Sequence, residues 1–449
     1  MLGVRRMPKQ AQGGESEGAT ARSVGLVTCA ALVVANMVGT GIFTSLGFQV
    51  GEIPSRPAIM TLWALGGVLA LCGALCYAEL SAALPRSGGE YHFLGRIYHP
   101  SVGLMAGLVS IVVGFAAPVA LSAMAFGSYL QGVFPAVSPP AASVAVVAFV
   151  TLFHLRDLRV SSIFQVFFTV LKIGLVLFLI ATLFAAPATT PTPSAPWESY
   201  LLTAPFAVSL MFTLYAYSGW NAATYILGEV RTPGRVIPRA LAAGTLLVML
   251  LYLGLNAAFL HAAPTTLLAG KLNVAQVAAE SVFGDGGGRM VAGVIALGLV
   301  SAISAMVWAG PRVAMVIGED YPRAFGWLRV RTASGIPAAA VAAQGVLTLV
   351  LLLTSTFEQI LVYTQFALLA CSFLAVLGVI LYRITQPDLP RPFRVPLYPV
   401  TPLLFLAISA FAMVYTATVK PFEALCGALT LVAGLGIYPL VANGQKCRS

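Results

Sequence analysis

The sequence predicts an all-α polytopic membrane protein of twelve transmembrane helices, and three observations carry that prediction. Of its 449 residues, 59% are hydrophobic and only 9% charged, whereas a soluble domain carries roughly 25% charged residues. Mean hydropathy is +0.91. The apolar residues gather into twelve runs, most near the ~20 residues that cross a bilayer. They are 24–50, 58–83, 101–131, 141–155, 160–186, 201–229, 236–262, 289–318, 337–355, 358–384, 399–419 and 421–443. Basic side chains fall on alternate loops. With the N-terminus placed inside, 20 of the 25 Lys and Arg lie on inner segments; Arg56, Lys271, Arg289 and Lys420 lie outside, and Lys172 lies within a run. That bias is the positive-inside signature and puts both termini in the cytoplasm. The net charge of +10 is then topology, not a nucleic-acid footprint.

Taken in order, residues 1–23 are polar, carry Arg5, Arg6, Lys9 and Arg22, and lack the apolar stretch of a signal peptide; they read as a cytoplasmic tail. The first run, 24–50, is interrupted at mid-depth by Gly39, Thr40 and Gly41. The loop PRSGGEYHFLGR after the second run reads as a cytoplasmic gate segment. The fourth run is short. The fifth, 160–186, contains Lys172 as its only charge from 164 onward. Residues 187–200 (PATTPTPSAPWESY) form a turn-rich outer linker. The sixth run is interrupted in its turn at Ser218, Gly219 and Asn221. Between runs seven and eight, residues 263–288 contain apolar stretches that predict short helices over the outer face. The tail 444–449 is again cytoplasmic.

Runs one and six are five apart. Two interrupted spans in corresponding positions are what an inverted five-plus-five repeat produces, here 24–186 and 201–384. The physical reason is that unwinding a helix in lipid strands N–H and C=O groups, each costing several kcal/mol unless satisfied. A break survives where it lines a cavity, with half-helix amides facing an anion and half-helix carbonyls facing a cation. A single GxG is also a common packing device between membrane helices; the second break favours binding. Lys172 costs roughly 2.5–3.5 kcal/mol at mid-membrane, and such residues are functional by default. Glu79, Glu229, Glu358 and Glu423 fall near span ends, so backbone carbonyls and hydroxyls are the expected partners. Ser301 and Ser304, spaced i,i+3 on run eight, supply such hydroxyls.

Other chemistry is not expected. His92, His99, His154 and His261 stand apart, with no Cys/His ligand set for a metal. SGGE (87–90) lacks the phosphate-binding GxxxxGK[ST] pattern, so neither a cofactor nor ATP drive is anticipated. Five of six cysteines sit in apolar runs, where free buried thiols are the ordinary state. Glu79 and Glu229 are candidates to pair with inner arginines.

Four stretches carry a family resemblance: VGTGIF (38–43), YAELSAALPRSGGEYHFLGRIY (77–98), YSGWNAATYILGEVRTPGRVIPRA (217–240) and QPDLPRPFRVPLYPVTPLLF (386–405). In this order they resemble the APC superfamily of amino acid transporters, and among these the bacterial L-type (LAT-like) members, from about 24 to 443. The resemblance implies two inverted five-helix repeats, discontinuous helices one and six, and two peripheral helices at 385–443. It implies that the amides of Thr40, Gly41 and Ile42 hold a substrate carboxylate and the carbonyls of Met37 and Val38 its amino group. Tyr215, Ala216 and Ser218 supply the corresponding backbone on run six, with Tyr215 as an aromatic gate and Asn221 in the polar network. Packing for Tyr215 and helix capping for Asn221 remain open alternatives. SGWN stands where the family often has GGWN, so the hydroxyl of Ser218 changes the pocket. Lys172 is implied to reach the first break and helix eight, where sodium-coupled relatives hold sodium.

The function implied is a sodium-independent, inner (plasma) membrane exchanger of neutral L-amino acids working by alternating access. Alternatives are a proton-coupled amino acid or amine symporter, a non-transporting amino acid sensor, and, less in keeping with two discontinuous joints, a channel. The related eukaryotic light chains join a heavy subunit through a cysteine between helices three and four. The loop 131–140 here has none, so no disulfide-linked subunit is expected.

Overall fold

The computed structural model describes residues 24–156, 162–189, 195–332 and 335–442. The tails 1–23 and 444–449, and part of the linker 187–200, lie outside the described residues. Among those described, the fold is helical, with one isolated parallel bridge between Val24 and Val230.

Every predicted apolar run is helical. Run one is two helices, α1 (Leu26–Met37) and α2 (Gly41–Glu52), bent by 41° across the break. Helix α3 (Arg56–Ala83) follows, then the short α4 (Gly89–Ile97). Run three is α5 (Pro100–Val109), a π-helical turn at Ser110–Ala116 and α6 (Ala117–Val133). The short α7 (Pro139–Leu155) and α8 (Ser162–Ala185) complete the first half. Run six is α9 (Ala204–Tyr217), which ends at the second break and continues as a 3-10 turn at Ala222–Glu229.

The second half continues with α10 (Pro233–Ala262) and a one-turn helix, α11 (Thr265–Leu268). Helix α12 (Val274–Asp320) is kinked at Gly284, whose φ of 69° is open to glycine. The stretch before that kink, with α11, gives the short helices expected at 263–288. Next come α13 (Pro322–Phe325), α14 (Ala338–Thr354), α15 (Phe357–Thr385), α16 (Val400–Val419) and α17 (Pro421–Ala442). Among the described residues, eight helices are long and apolar enough to cross a membrane, nine with the bent pair; α7 and α14 are shorter apolar helices.

Helix α10 packs along α3 and α1, and α12 runs against α6 and α8. Behind the first break, Trp63, Tyr217 and Tyr252 form a fully buried aromatic cluster with centroids 5.0–5.9 Å apart. Their polar ends are satisfied: Tyr217 Oη donates to the Trp63 carbonyl at 3.0 Å and Tyr252 Oη to the Met37 carbonyl at 2.5 Å. Such rings add large apolar area and fix geometry through a hydroxyl.

Glu79 anchors the basic end. It is 2% exposed and accepts from Arg383 Nε at 2.8 Å and from the Val395 amide at 2.7 Å, with Arg391 Nε at 3.6 Å. Arg383 also lies 3.8 Å over the Tyr398 ring. One carboxylate thereby ties α3 to the end of α15 and to the proline-rich strap before α16. Glu229, by contrast, is exposed at the start of the strap that follows run six.

Removing the carboxylate leaves two largely buried guanidinium groups unpaired, which costs about 3–5 kcal/mol. Glu79→Ala is therefore expected to lower the thermal unfolding temperature of the purified protein strongly. A melting curve matching the native protein's would show that this network does not hold the strap.

Candidate functional site

Both breaks arise from local chain chemistry. Helix α1 closes with the Val38 amide on the Val34 carbonyl at 2.9 Å and the Gly39 amide on the Met37 carbonyl at 2.8 Å. Helix α2 starts afresh at Gly41, so the amides of Gly41 and Ile42 are first-turn donors with no acceptor within their helix. Thr40 is fixed by its side chain, Oγ1 lying 2.7 Å from Ser122 Oγ on α6. At the second break the Ser218 amide turns back to the Tyr215 carbonyl at 3.0 Å, and Gly219 takes φ 99°. That left-handed conformation favours glycine. A Cβ there would also sit 2.9 Å from the Asn36 carbonyl oxygen.

The breaks touch. A Cβ on Gly41 would come within 2.5 Å of Ala216 Cα. Glycine is required because two backbones pass at closest approach. Where they meet, a cavity of about 590 Å³ opens. Met37, Thr40 and Gly41 line it from the first break; Tyr215, Ala216, Ser218 and Asn221 line it from the second. Val38 and Ile42 are buried away from it. Ser110 and Gly114 of the π-turn between α5 and α6 face it from run three. A π-turn often marks a functional position, and nothing in the sequence announced this one.

Among the described residues the cavity extends toward one end of the bundle. Its far wall includes Arg86, His92, Glu229 and Arg312, which belong to the basic end. Toward the other end, Phe48 stacks between Phe212 and Phe357 at 5.2 and 5.6 Å. Gln49 donates to the Ser209 carbonyl at 3.0 Å and to Thr213 Oγ1 at 2.7 Å, and accepts from Trp63 Nε1 at 2.9 Å. Above them the Gly270 amide donates to the Gly47 carbonyl at 2.8 Å. A fully bonded buried network of this kind is rigid.

Lys172 reaches the first break from α8. Its Nζ donates to the Val38 carbonyl at 2.8 Å, and its stem passes Gly298 of α12, where a Cβ would be 3.3 Å from Cγ. Ser301 is buried on the same helix. Ser304 Oγ lies 2.9 Å from His154 Nε2 on α7, so the structure brings Ser304 to a histidine rather than to the lysine. The Met37 carbonyl already accepts from Tyr252, and the Val38 carbonyl from Lys172. The Met37 oxygen also takes the Gly39 amide, which fills its two lone pairs; of the two residues Met37 lines the cavity and Val38 does not.

Asn221 stands at the cap position of the 3-10 turn. Its carbonyl accepts the Thr224 amide at 2.9 Å, while its side chain makes no capping bond. Glu90 is a wall residue that sequence reasoning passed over. It is 3% exposed and takes bonds from Tyr77 and from Ser372 Oγ. The only signal was the double glycine before it, since Gly88 and Gly89 have φ 127° and 52° and fold the loop inward. His92 is held down to about 4, first by burial and then by Arg86 and Arg96. It is neutral near pH 7.

The profile of a family described as amino acid permease matches residues 24–433. The chain belongs to the amino acid permease family. Its curated relatives extend over nearly its full length. The b(0,+)-type amino acid transporter 1 of Mus musculus is 28% identical over 93% of this chain and 87% of that protein. The serine/threonine exchanger SteT of Bacillus subtilis is 27% identical over 93% and 96%. The large neutral amino acids transporter small subunit 2 of Mus musculus is 27% identical over 98% and 85%. This permease is thus a multi-pass membrane transporter of the APC superfamily and not an enzyme.

Because two backbones meet at Gly41, Gly41→Ala is expected to destabilise the permease by about 1–3 kcal/mol through overpacking. Gly39→Ala, whose added Cβ would meet only the Met37 carbonyl at 3.9 Å, is expected to melt close to the native protein. Equal melting temperatures for the two variants would contradict the close approach.

Proposed function

We propose that this permease is a sodium-independent exchanger of neutral L-amino acids, working by alternating access in the inner (plasma) membrane with both termini cytoplasmic. The observation that carries the reading is the Lys172 ammonium on the Val38 carbonyl. A fixed cation at the end of the first half-helix meets the negative end of its dipole. That position would otherwise suit a bound sodium ion.

A zwitterion fits the joint between the breaks. Its carboxylate would lie on the amides of Thr40, Gly41 and Ile42, and its ammonium near the Met37 carbonyl and the backbone of Tyr215, Ala216 and Ser218. Tyr215 would cover it, with Asn221 in the surrounding polar network. The wall at the joint is uncharged, with Tyr215, Gly114, Phe115 and Ser122, which suits a neutral substrate side chain. The charged wall residues lie toward the basic end. Exchange, rather than net flux, is supported by the serine/threonine exchanger among the relatives. With the basic end inside, the conformation is open to the cytoplasm and sealed outside by Phe48 and Gln49. The domain reading that goes with it has repeats at 24–186 and 201–384, and peripheral helices at 385–443.

Two measurements test this. In proteoliposomes loaded with unlabelled amino acids, labelled neutral amino acids are expected to enter by counterflow at the same rate in sodium and choline buffers. Robust stimulation by a sodium gradient would contradict the reading. Lys172→Ala, which removes a charge-assisted hydrogen bond worth about 1.5–3 kcal/mol, is expected to slow exchange on the order of tenfold or more. Native exchange kinetics in that variant would show that the lysine has no such role.

A further inference from the structure

Glu90 has no part in the mechanism above, yet it is a carboxyl buried on the wall of the transport cavity. Oε1 accepts both available donors, the Tyr77 hydroxyl from α3 and Ser372 Oγ from α15 at 3.1 Å. Among the described residues Oε2 has no hydrogen-bond partner and is not one of the sealed orphan atoms, so it faces the cavity. No ion pair to Glu90 occurs among the described residues.

The groups around it are hydroxyls and a thiol. Tyr77 faces it from α3, Cys371 and Ser372 from α15, and Tyr225 from the 3-10 turn after the second break. Helix α5, packed along α4, offers no ionisable side chain. On α4 itself Tyr91 bonds to Asp320 at the end of α12, and His92 is neutral near pH 7. Arg86 and Arg312 line the same cavity without pairing to Glu90.

A buried carboxylate with no cation beside it takes up a proton rather than remain charged. Burial pushes Glu90 up from its ordinary value, against the pull of the two hydroxyl donors. We propose that Glu90 is a proton-binding site on the transport path, holding a proton on Oε2 in this conformation and releasing it to the aqueous end of the cavity. In release the O–H bond breaks, the proton goes to water, and the carboxylate keeps its two hydroxyl donors.

The consequence for transport rests on the exchange reading. Glu90 and Tyr91 together seat α4 against α3, α15 and α12. A protonated Glu90 favours that seating. Because its value in this conformation is raised, the contribution is complete at low pH and is lost as pH rises through the raised value. Exchange by the native permease is then expected to fall with rising pH, as one end state is withdrawn from the cycle.

The test is counterflow of a labelled neutral amino acid across a pH series at constant sodium, for the native permease and Glu90→Gln. The variant is expected to lose the pH dependence. Infrared spectra of the purified native permease, titrated with pH, are expected to show the carbonyl band of a protonated carboxyl that disappears on alkalinisation and is missing from Glu90→Gln. Ser372→Ala, which removes a donor favouring the charged form, is expected to move that midpoint to higher pH. This arm decides the matter even where Glu90→Gln does not fold. A native pH profile in Glu90→Gln or an unshifted midpoint in Ser372→Ala overturns the proposal. Absence of counterflow at every pH overturns the exchange reading instead, while the infrared titration still tests Glu90.

Discussion

A helix that stops bonding to itself inside a membrane must find partners for its loose amides and carbonyls, because lipid offers none. This constraint accounts for the elements that converge on the two breaks. The Met37 carbonyl receives the Tyr252 hydroxyl from α10, and the Val38 carbonyl receives the Lys172 ammonium from α8. Thr40 is held through its own side chain by Ser122 of α6. The amides opening α2 have no acceptor within their helix, and Gly41 lines the cavity. The protein thus satisfies the carbonyl side of the joint internally and leaves the first-turn amides of α2 without a helical acceptor, where the proposed substrate carboxylate would lie.

The same joint requires two backbones to pass closer than side chains allow. Gly41 against Ala216 and Gly219 against the Asn36 carbonyl are the contacts that set this distance. The Trp63, Tyr217 and Tyr252 cluster backs it with a rigid aromatic wall. The two ends of the bundle are built differently. One end is closed by the half-buried Phe48 stacked between buried Phe212 and Phe357, and by the buried, fully bonded Gln49. At the other the cavity runs out between charged loops, where Glu90 and Tyr91 bond α4 to Tyr77, Ser372 and Asp320 and the Glu79 network ties α3 to α15.

Charges are sorted by the same economy of burial. Glu79, nearly sealed, has two arginines and an amide. Lys172 is placed on a carbonyl, and Glu90 has only hydroxyls. These three ionisable groups therefore meet three different kinds of neighbour: opposite charge, dipole, and neutral donor. A paired carboxylate and arginine act as a fixed strut. The lysine meets a carbonyl dipole, which suits the stationary charge proposed for it, and the carboxyl with neutral donors is the group best suited to change its charge.

By itself the sequence determined that this is a helical membrane protein, which runs are helices, and where two of them break. Hydropathy over ~20 residues depends on composition alone, and glycine and serine at mid-depth need no partner to be noticed. The lysine was legible for the same reason, since a lone charge in an apolar run stands out. What the tertiary structure decided is which groups meet. That Lys172 chooses the Val38 carbonyl, that Ser304 goes to His154, and that Val38 and Ile42 turn away from the cavity are matters of helix rotation, which apolar runs without a clear polar face do not encode. Glu90 was hidden for a related reason. In the sequence it stands in a polar loop, and only the fold of α4 under α3 and α15 buries it, because burial belongs to the neighbours that close over a residue.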